Sequence, residues 1–257
     1  MPLQNQFMFL SQSDPNGAPE ALGPLCARAQ NKSRSQAQEP QGLSDSDPIP
    51  HLLGLTEFNK TWELQHELLQ GKTRSSEARD IVLITEHYPV YTVGRSGHGK
   101  KYPVPVVEIE RGGLVTYHNP GQLVFYPLVH LVHRKLSVGQ YLRLLENAVI
   151  AMLASFSLAA HSIPGATGVW VTVENEEKKI ASMGIAISHW VTYHGFAVNV
   201  NNDLVGFHQI NPCGFNPKSM TNMQVLLGKK TPSLEEARAV MWLALCRQLQ
   251  QHKERVG

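Results

Sequence analysis

A cysteine held between a proline and a glycine, in "INPCGF" (residues 210–215), is the residue of this chain best suited to covalent chemistry. Pro212 fixes its own φ and Gly214 permits almost any. The spacing therefore predicts Cys213 on a tight turn, not inside a helix or strand, where cysteines act as small apolar fillers. Such a thiol is either a nucleophile presented on a bend or a bystander in a turn. A free thiol with a pKa of about 8.5 is only a few per cent thiolate at neutral pH, so a nucleophile needs help. One ammonium about 4 Å away, at an effective dielectric near 20, supplies about 4 kcal/mol, or about three pKa units. "KKIASMG" offers one: strand alternation puts Lys179, Ala181 and Met183 on one face and turns Lys178 to solvent. A lysine on an apolar face is costly unless paired, and the competing outcome is that its stem snorkels outward. His118, His194 and His208 are further candidates to activate the thiol.

Two other groups stand out. "RGGLVTYHNPGQ" (111–122) sets three glycines, an arginine and a histidine in β-rich text. Closely spaced glycines let backbone N–H groups approach a ligand, and Arg111 is placed to hold an anion; the alternative is a hairpin with a Gly-Pro turn. "VTYH" occurs at 115–118 and again at 191–194, which either sets two Tyr-His pairs around one pocket or is a chance repeat. "HLVH" (His130, His133) gives only two potential metal ligands, with no HExxH or Cys-His cluster, and there is no Walker or dinucleotide fingerprint. No metal and no cofactor are expected.

The elements that must position these residues follow from composition and periodicity. At 257 residues and 42% apolar content, the chain can build one generous α/β domain. A net charge of +2, from 23 basic and 21 acidic residues, argues against a dedicated nucleic-acid binder. Three cysteines without metal spacing fit a reducing compartment, and no apolar run is long enough to span a membrane. Cytoplasmic location is expected, or mitochondrial in a eukaryote. Residues 1–50, rich in Ser, Gln, Pro and Ala and too acidic for a transit peptide, read as a disordered leader that includes Cys26. The folded text is taken as 51–257. Within it, "TEFNKTWELQHELLQGK" predicts a helix stopped by Gly71, and Ile81–Ile84 a buried strand leading into a second short one. Ser137 and Gln140 fit a capping box opening a helix whose inner face carries Val138, Tyr141, Leu142, Leu145, Ala148, Val149, Met152, Leu153 and Phe156. "GVWVTVEN", "KKIASMGIAIS" and "WVTYHGFAVNVN" predict an antiparallel meander. Ser233 and Glu236 cap a last helix, where Cys246 is a packing or surface thiol.

In order and spacing, "RGGLVTYHNPGQLVFYPLV", "GVWV", "KKIASMGIAIS" and "TYHGFAVNVNNDLVGFHQINPCG" resemble the lipoyl(octanoyl) transferases. "LGLTEFNKTWELQ" and "EHYPVYTVGRSG" resemble that family's N-terminal portion. The resemblance implies an α/β (α+β) single domain like the catalytic fold of biotin and lipoate ligases, a mixed central sheet flanked by helices. It implies transfer of octanoyl from octanoyl-acyl carrier protein to a lysine of lipoyl domains, in 2-oxoacid dehydrogenases and the glycine cleavage H protein. Nucleic acid and membrane are not partners. Cys213 is then the acyl-carrying nucleophile and Lys179 its activating partner. Acyl-binding segments correspond to Arg111, Gly112, Gly113, Leu114, Val115, Thr116, Tyr117 and His118, to Ser182, Met183 and Gly184, and to Gly195, Phe196 and Ala197. "GRSGHGKK", with Arg95, Lys100 and Lys101, is expected to face the acidic carrier. The family usually has glycine where this chain has Asn119, which puts that loop's approach to the acyl group in question. Three neighbouring readings remain: a cysteine-dependent amidotransferase between lipoyl domains, an ATP-dependent ligase, and an inactive carrier-binding module.

Overall fold

The computed structural model describes residues 47–74, 79–211 and 216–256. Two strands bury both faces, and their alternation shows why they read as unbroken apolar runs. In β6 (Gln122–Leu128), Leu123 and Phe125 enter one core cluster while Val124, Tyr126 and Leu128 enter another. In β10 (Val191–Asn199), Phe196 and Val198 face the first cluster, and Val191, Tyr193 and Ala197 the second. Each is an inner strand of a seven-stranded sheet whose remaining members are β1 (Ile49–Thr56), β2 (Ile81–His87), β7 (His161–Ile163), β8 (Ala166–Val173) and β9 (Glu176–Ser188). The order is β1-β2-β6-β10-β9-β8-β7. β1 and β2 are parallel and the other neighbours antiparallel, so the sheet is mixed. A smaller sheet, ordered β4-β3-β5, joins β3 (Val90–Val93), β4 (Val107–Glu108) and β5 (Val115–His118).

Helices close the large sheet on both sides. α1 (Phe58–Arg74) connects the parallel pair and sets Leu64, Leu68 and Leu69 against the second cluster. α2 (Val138–Ser155) and α4 (Leu234–Val256) cover the first, with Tyr141, Leu145, Ala148, Val149, Met152 and Leu153 fully buried. Truncating one such leucine to alanine typically costs about 2–5 kcal/mol. A short α3 (Met223–Leu227) lies between, capped by Asn222. Both expected capping boxes form: Ser137 Oγ accepts the Gln140 N–H as Gln140 Oε1 accepts that of Ser137, and Ser233 and Glu236 do the same.

The meander of β8, β9 and β10 is present. Three details differ from expectation. Gly71 does not stop α1, which runs one turn further to Arg74; a lone glycine costs a helix only about 1 kcal/mol, and tertiary packing overrides it. Val138, at the first turn of α2, is exposed, and Leu144 is buried in its stead. β1 begins at Ile49, inside the segment read as a leader, and the buried Asp47 accepts hydrogen bonds from Gln250 of α4. Among the described residues, no helix is long and apolar enough to cross a membrane.

Candidate active site

Lys179 does not snorkel. It is 1% exposed, near the start of β9, with Nζ donating to Thr167 O at 2.8 Å and lying 5.1 Å over the Trp170 ring. Room for it is made by Gly168, whose φ of +131° favours glycine and where any Cβ would overlap Lys179 Cε. A buried carboxylate fixes that glycine in turn: Glu146 Oε1 accepts the Gly168 N–H at 3.0 Å, and Oε2 pairs with Arg143 at 2.6 Å. Helix α2 thus positions β8, and β8 positions the amine. Lys178, on the opposite face, is half-buried, pairs with Glu176 and donates to Lys218 O. Met220 bridges to Lys179 and the Thr221 N–H donates to Lys179 O, so the segment resuming at Asn216 returns to this lysine.

Three residues further along β9, from Ser182 onward, a narrow cavity opens with about 400 Å³ of empty space, its open mouth included. Its apolar walls are Phe58, Ile109, Val124, Tyr126, Met183, Phe196 and Ala197; Arg111, Thr116, His118, Ser182, Gly184, His194 and Gly195 complete it. Gly184 and Gly195 face each other across β9 and β10. There the Arg-Gly-Gly loop crosses the sheet, the Gly112 N–H bonding Ile185 O, and a Cβ on Gly184 would come within 2.9 Å of Gly112 O. Arg111 donates to Thr92 O, Thr92 Oγ1 and Gly112 O, so much of its guanidinium clamps this loop onto β3.

The protonation state of His118 can be followed bond by bond. Asn199 donates Nδ2 to Thr221 O, which orients its Oδ1 to accept from Gln122 Nε2; Gln122 also donates to Tyr117 O. Gln122 Oε1 must then be the acceptor in its 2.6 Å contact with His118 Nδ1, which carries the proton. Burial, with the neighbouring His87 second, lowers the His118 pKa to about 3. The ring is neutral, with Nε2 as an acceptor. Near it, the buried Thr116 hydroxyl has no hydrogen-bond partner among the described residues.

His194 arrives by a different route. By strand register it faces Pro127 of β6, which has no N–H to give the ladder. At φ +54° the His194 N–H instead meets Gln65 Oε1 at 2.7 Å. Its Nε2 reaches Glu110 Oε2 at 3.3 Å, and Trp62 Nε1 donates to the same oxygen. The bond from His194 is the main cause that draws the Glu110 pKa down to about 2, while burial lowers that of His194. Both shifts favour a neutral imidazole donating to a carboxylate.

Residues 57–245 match the family model described as the lipoyl protein ligase A/B catalytic domain. An octanoyltransferase of Pelobacter propionicus is 41% identical over 179 residues, 68% of this chain and 83% of that protein. One from Geobacter metallireducens is also 41% identical, over 73% of this chain and 87% of its own. This chain belongs to the octanoyltransferase family. It is therefore an acyltransferase by descent. Its fold is that of lipoate ligases: a bipartite lipoate protein ligase from Thermoplasma acidophilum superposes with a TM-score of 0.61 at 18% identity, covering 79% of this chain and 84% of the other.

Measured against this octanoyltransferase fold, the expected site residues divide. Arg111, Thr116, His118, Ser182, Met183, Gly184, Gly195, Phe196 and Ala197 line the cavity. Leu114 and Val115 line a neighbouring groove, and Tyr117 packs on Phe207 and Tyr91. Gly112 and Gly113 shape the loop; alternate residues of β5 must point to opposite faces, so a continuous run cannot all line one cavity. Both histidines of the repeated VTYH reach the cavity and neither tyrosine does. His208 lies in the groove. The sequence reading missed Phe58, Ile109, Val124 and Tyr126, which look like ordinary core, and the buried Glu146, whose only signal was a charge on an apolar helix face. Asn119 needs no positive φ: its side chain accepts from Asn202 Nδ2 and donates to Asp203 O, which ties the loop down. Pro212, Cys213 and Gly214 lie outside the described residues, as does Cys26.

Proposed function

We propose that the chain moves an octanoyl group from octanoyl-acyl carrier protein to a lysine of lipoyl domains, through a thioester on Cys213. The acceptors would be those of the 2-oxoacid dehydrogenases and the glycine cleavage H protein, in lipoate biosynthesis. What carries this reading is the placement of Lys179: a buried amine in a purpose-shaped recess, on the strand that lines an apolar cavity. The chain that resumes three residues after Cys213 packs on that same lysine through Met220 and Thr221. A cation there lowers the thiol pKa and supplies thiolate at neutral pH.

The Cys213 sulfur attacks the carbonyl carbon of the donor thioester; the new C–S bond forms as the old one breaks, and the carrier thiolate leaves and takes up a proton. The octanoyl chain lies in the cavity walled by Phe58, Val124, Met183 and Phe196. The acceptor amine then attacks the thioester carbonyl, an amide C–N bond forms, the cysteine sulfur leaves, and Lys179 relays the amine proton to it. Thioester exchange is nearly balanced and amide formation is downhill, so no ATP is consumed.

Incubation with octanoyl-acyl carrier protein should add one octanoyl mass to the Cys213 peptide, and Cys213→Ser should not turn over. Turnover of the serine variant at wild-type rate, or labelling that appears only with ATP and free octanoate, would overturn the mechanism.

A further inference from the structure

Polar side chains lining the acyl cavity are held by neighbours within the protein. Tyr126 Oη meets His87 Nε2 at 2.8 Å, His194 Nε2 reaches Glu110, His118 Nδ1 donates to Gln122 Oε1, and Arg111 Nη2 donates to Thr92. Thr116 differs. It lines the same cavity and is 4% exposed, yet its hydroxyl has no hydrogen-bond partner among the described residues. Its cross-strand neighbour on β3 is Thr92, whose own hydroxyl is the one that accepts from Arg111. A buried hydroxyl left this way costs free energy that a ligand oxygen can return.

Strand register shows which part of a bound chain would meet it. The cavity runs along β9 and β10 from the Ser182–Ala197 pair to the Gly184–Gly195 pair. At the first end lie Lys179, three residues before Ser182, and His118, tied through Gln122 to Asn199. At the second end the Arg-Gly-Gly loop crosses, with the Gly112 N–H on Ile185 O. Thr116 stands two residues before His118 on β5, about 7 Å along the strand, opposite the Thr92 that Arg111 grips. A chain with its carbonyl towards Lys179 therefore shows Thr116 its interior methylenes, and a saturated chain has nothing there to bond.

We propose that Thr116 is a specificity-determining residue that admits hydroxylated medium-chain acyl groups, provided the hydroxyl is in register with its own. A hydroxyl at any other carbon is buried against Phe58, Val124 or Phe196 without a partner and is rejected. The inference rests on the reading that the acyl chain lies in this cavity, and adds to it a second substrate class.

The test titrates the full chain with octanoate and with each of the 3- to 7-hydroxyoctanoates as free acids, reading Kd by calorimetry. In wild type one positional isomer should bind at least as tightly as octanoate, and the others about tenfold more weakly. In Thr116→Val, which keeps the shape and removes the hydroxyl, that isomer should fall to the level of the others while octanoate binding holds or improves. Thermal unfolding of the free variant, expected unchanged or higher, checks that it folds. Uniformly weak binding of every isomer to wild type, or a preferred isomer that survives in Thr116→Val, would overturn the inference while leaving octanoate in the cavity. Weaker binding of octanoate itself to Thr116→Val would place the hydroxyl at the carboxyl end, and also overturn it. Binding of none of the acids would remove the reading of the cavity and the inference together.

Discussion

Lys179 shows how a single side chain is held in a state it would not choose. Burying an amine is costly, and here the Thr167 carbonyl and the Trp170 ring offset part of that cost. The recess exists only because residue 168 lacks a Cβ. Gly168→Ala should therefore displace the amine: we expect the Cys213 alkylation-versus-pH curve to move to higher pH, as in Lys179→Ala, and transfer to fall by tenfold or more. An unchanged curve in both variants would remove the lysine from its role. Cys246 is the contrasting thiol, buried against Trp242 and Leu245 in the core cluster, where burial pushes its pKa up to about 12 and leaves it inert.

At the scale of elements, the site is built by contacts that cross between a helix and a strand. Glu146 sits on α2, four residues from Leu142 and among apolar neighbours, yet it caps the Gly168 N–H of β8. Glu146→Ala should leave that N–H unsatisfied and cost about 1–3 kcal/mol in urea unfolding, with slower acylation besides. Glu146→Gln, which keeps an acceptor oxygen, should recover most of the acylation rate; failure of that rescue would mean the charge, not the hydrogen bond, matters. β10 provides the second example. A proline in β6 and a glutamine on α1 together turn His194 into the cavity, and neither residue is close to it in sequence.

Across the whole molecule, two consequences follow from the buried histidines and the cavity. Burial lowers the pKa of His118 to about 3 and of His87 to about 4, against 6.5 for the unfolded chain. Below pH 6.5 the unfolded state takes up protons that the fold refuses, so stability is full above that pH and falls as pH drops towards 4. Each histidine contributes up to about 1.4 kcal/mol per pH unit. Thermal unfolding between pH 7 and 4 should show this decline, and His87→Asn should flatten it; a flat wild-type profile would contradict the buried neutral pair. On the proposed mechanism, the cavity sets chain length. At about 0.8 kcal/mol per methylene, octanoyl should exceed hexanoyl by roughly tenfold in kcat/KM, measured as competing donors. Equal rates would mean that the chain does not lie in the cavity.

The sequence by itself determined what depends on neighbours along the chain. β-rich runs set off by turn residues gave the meander, Ser-x-x-Gln and Ser-x-x-Glu gave the two helix starts, and alternation placed Lys179 on the inner face of its strand. The family was legible because several motifs had to agree in order. Tertiary structure alone decided which inner-facing residues meet. Phe58 and Val124 become cavity wall and Glu146 becomes a clamp only because sheet order brings β6, β10, β9 and β8 side by side and α2 packs across them. Those pairings span dozens of residues, and no local pattern encodes a contact whose partner lies on another element.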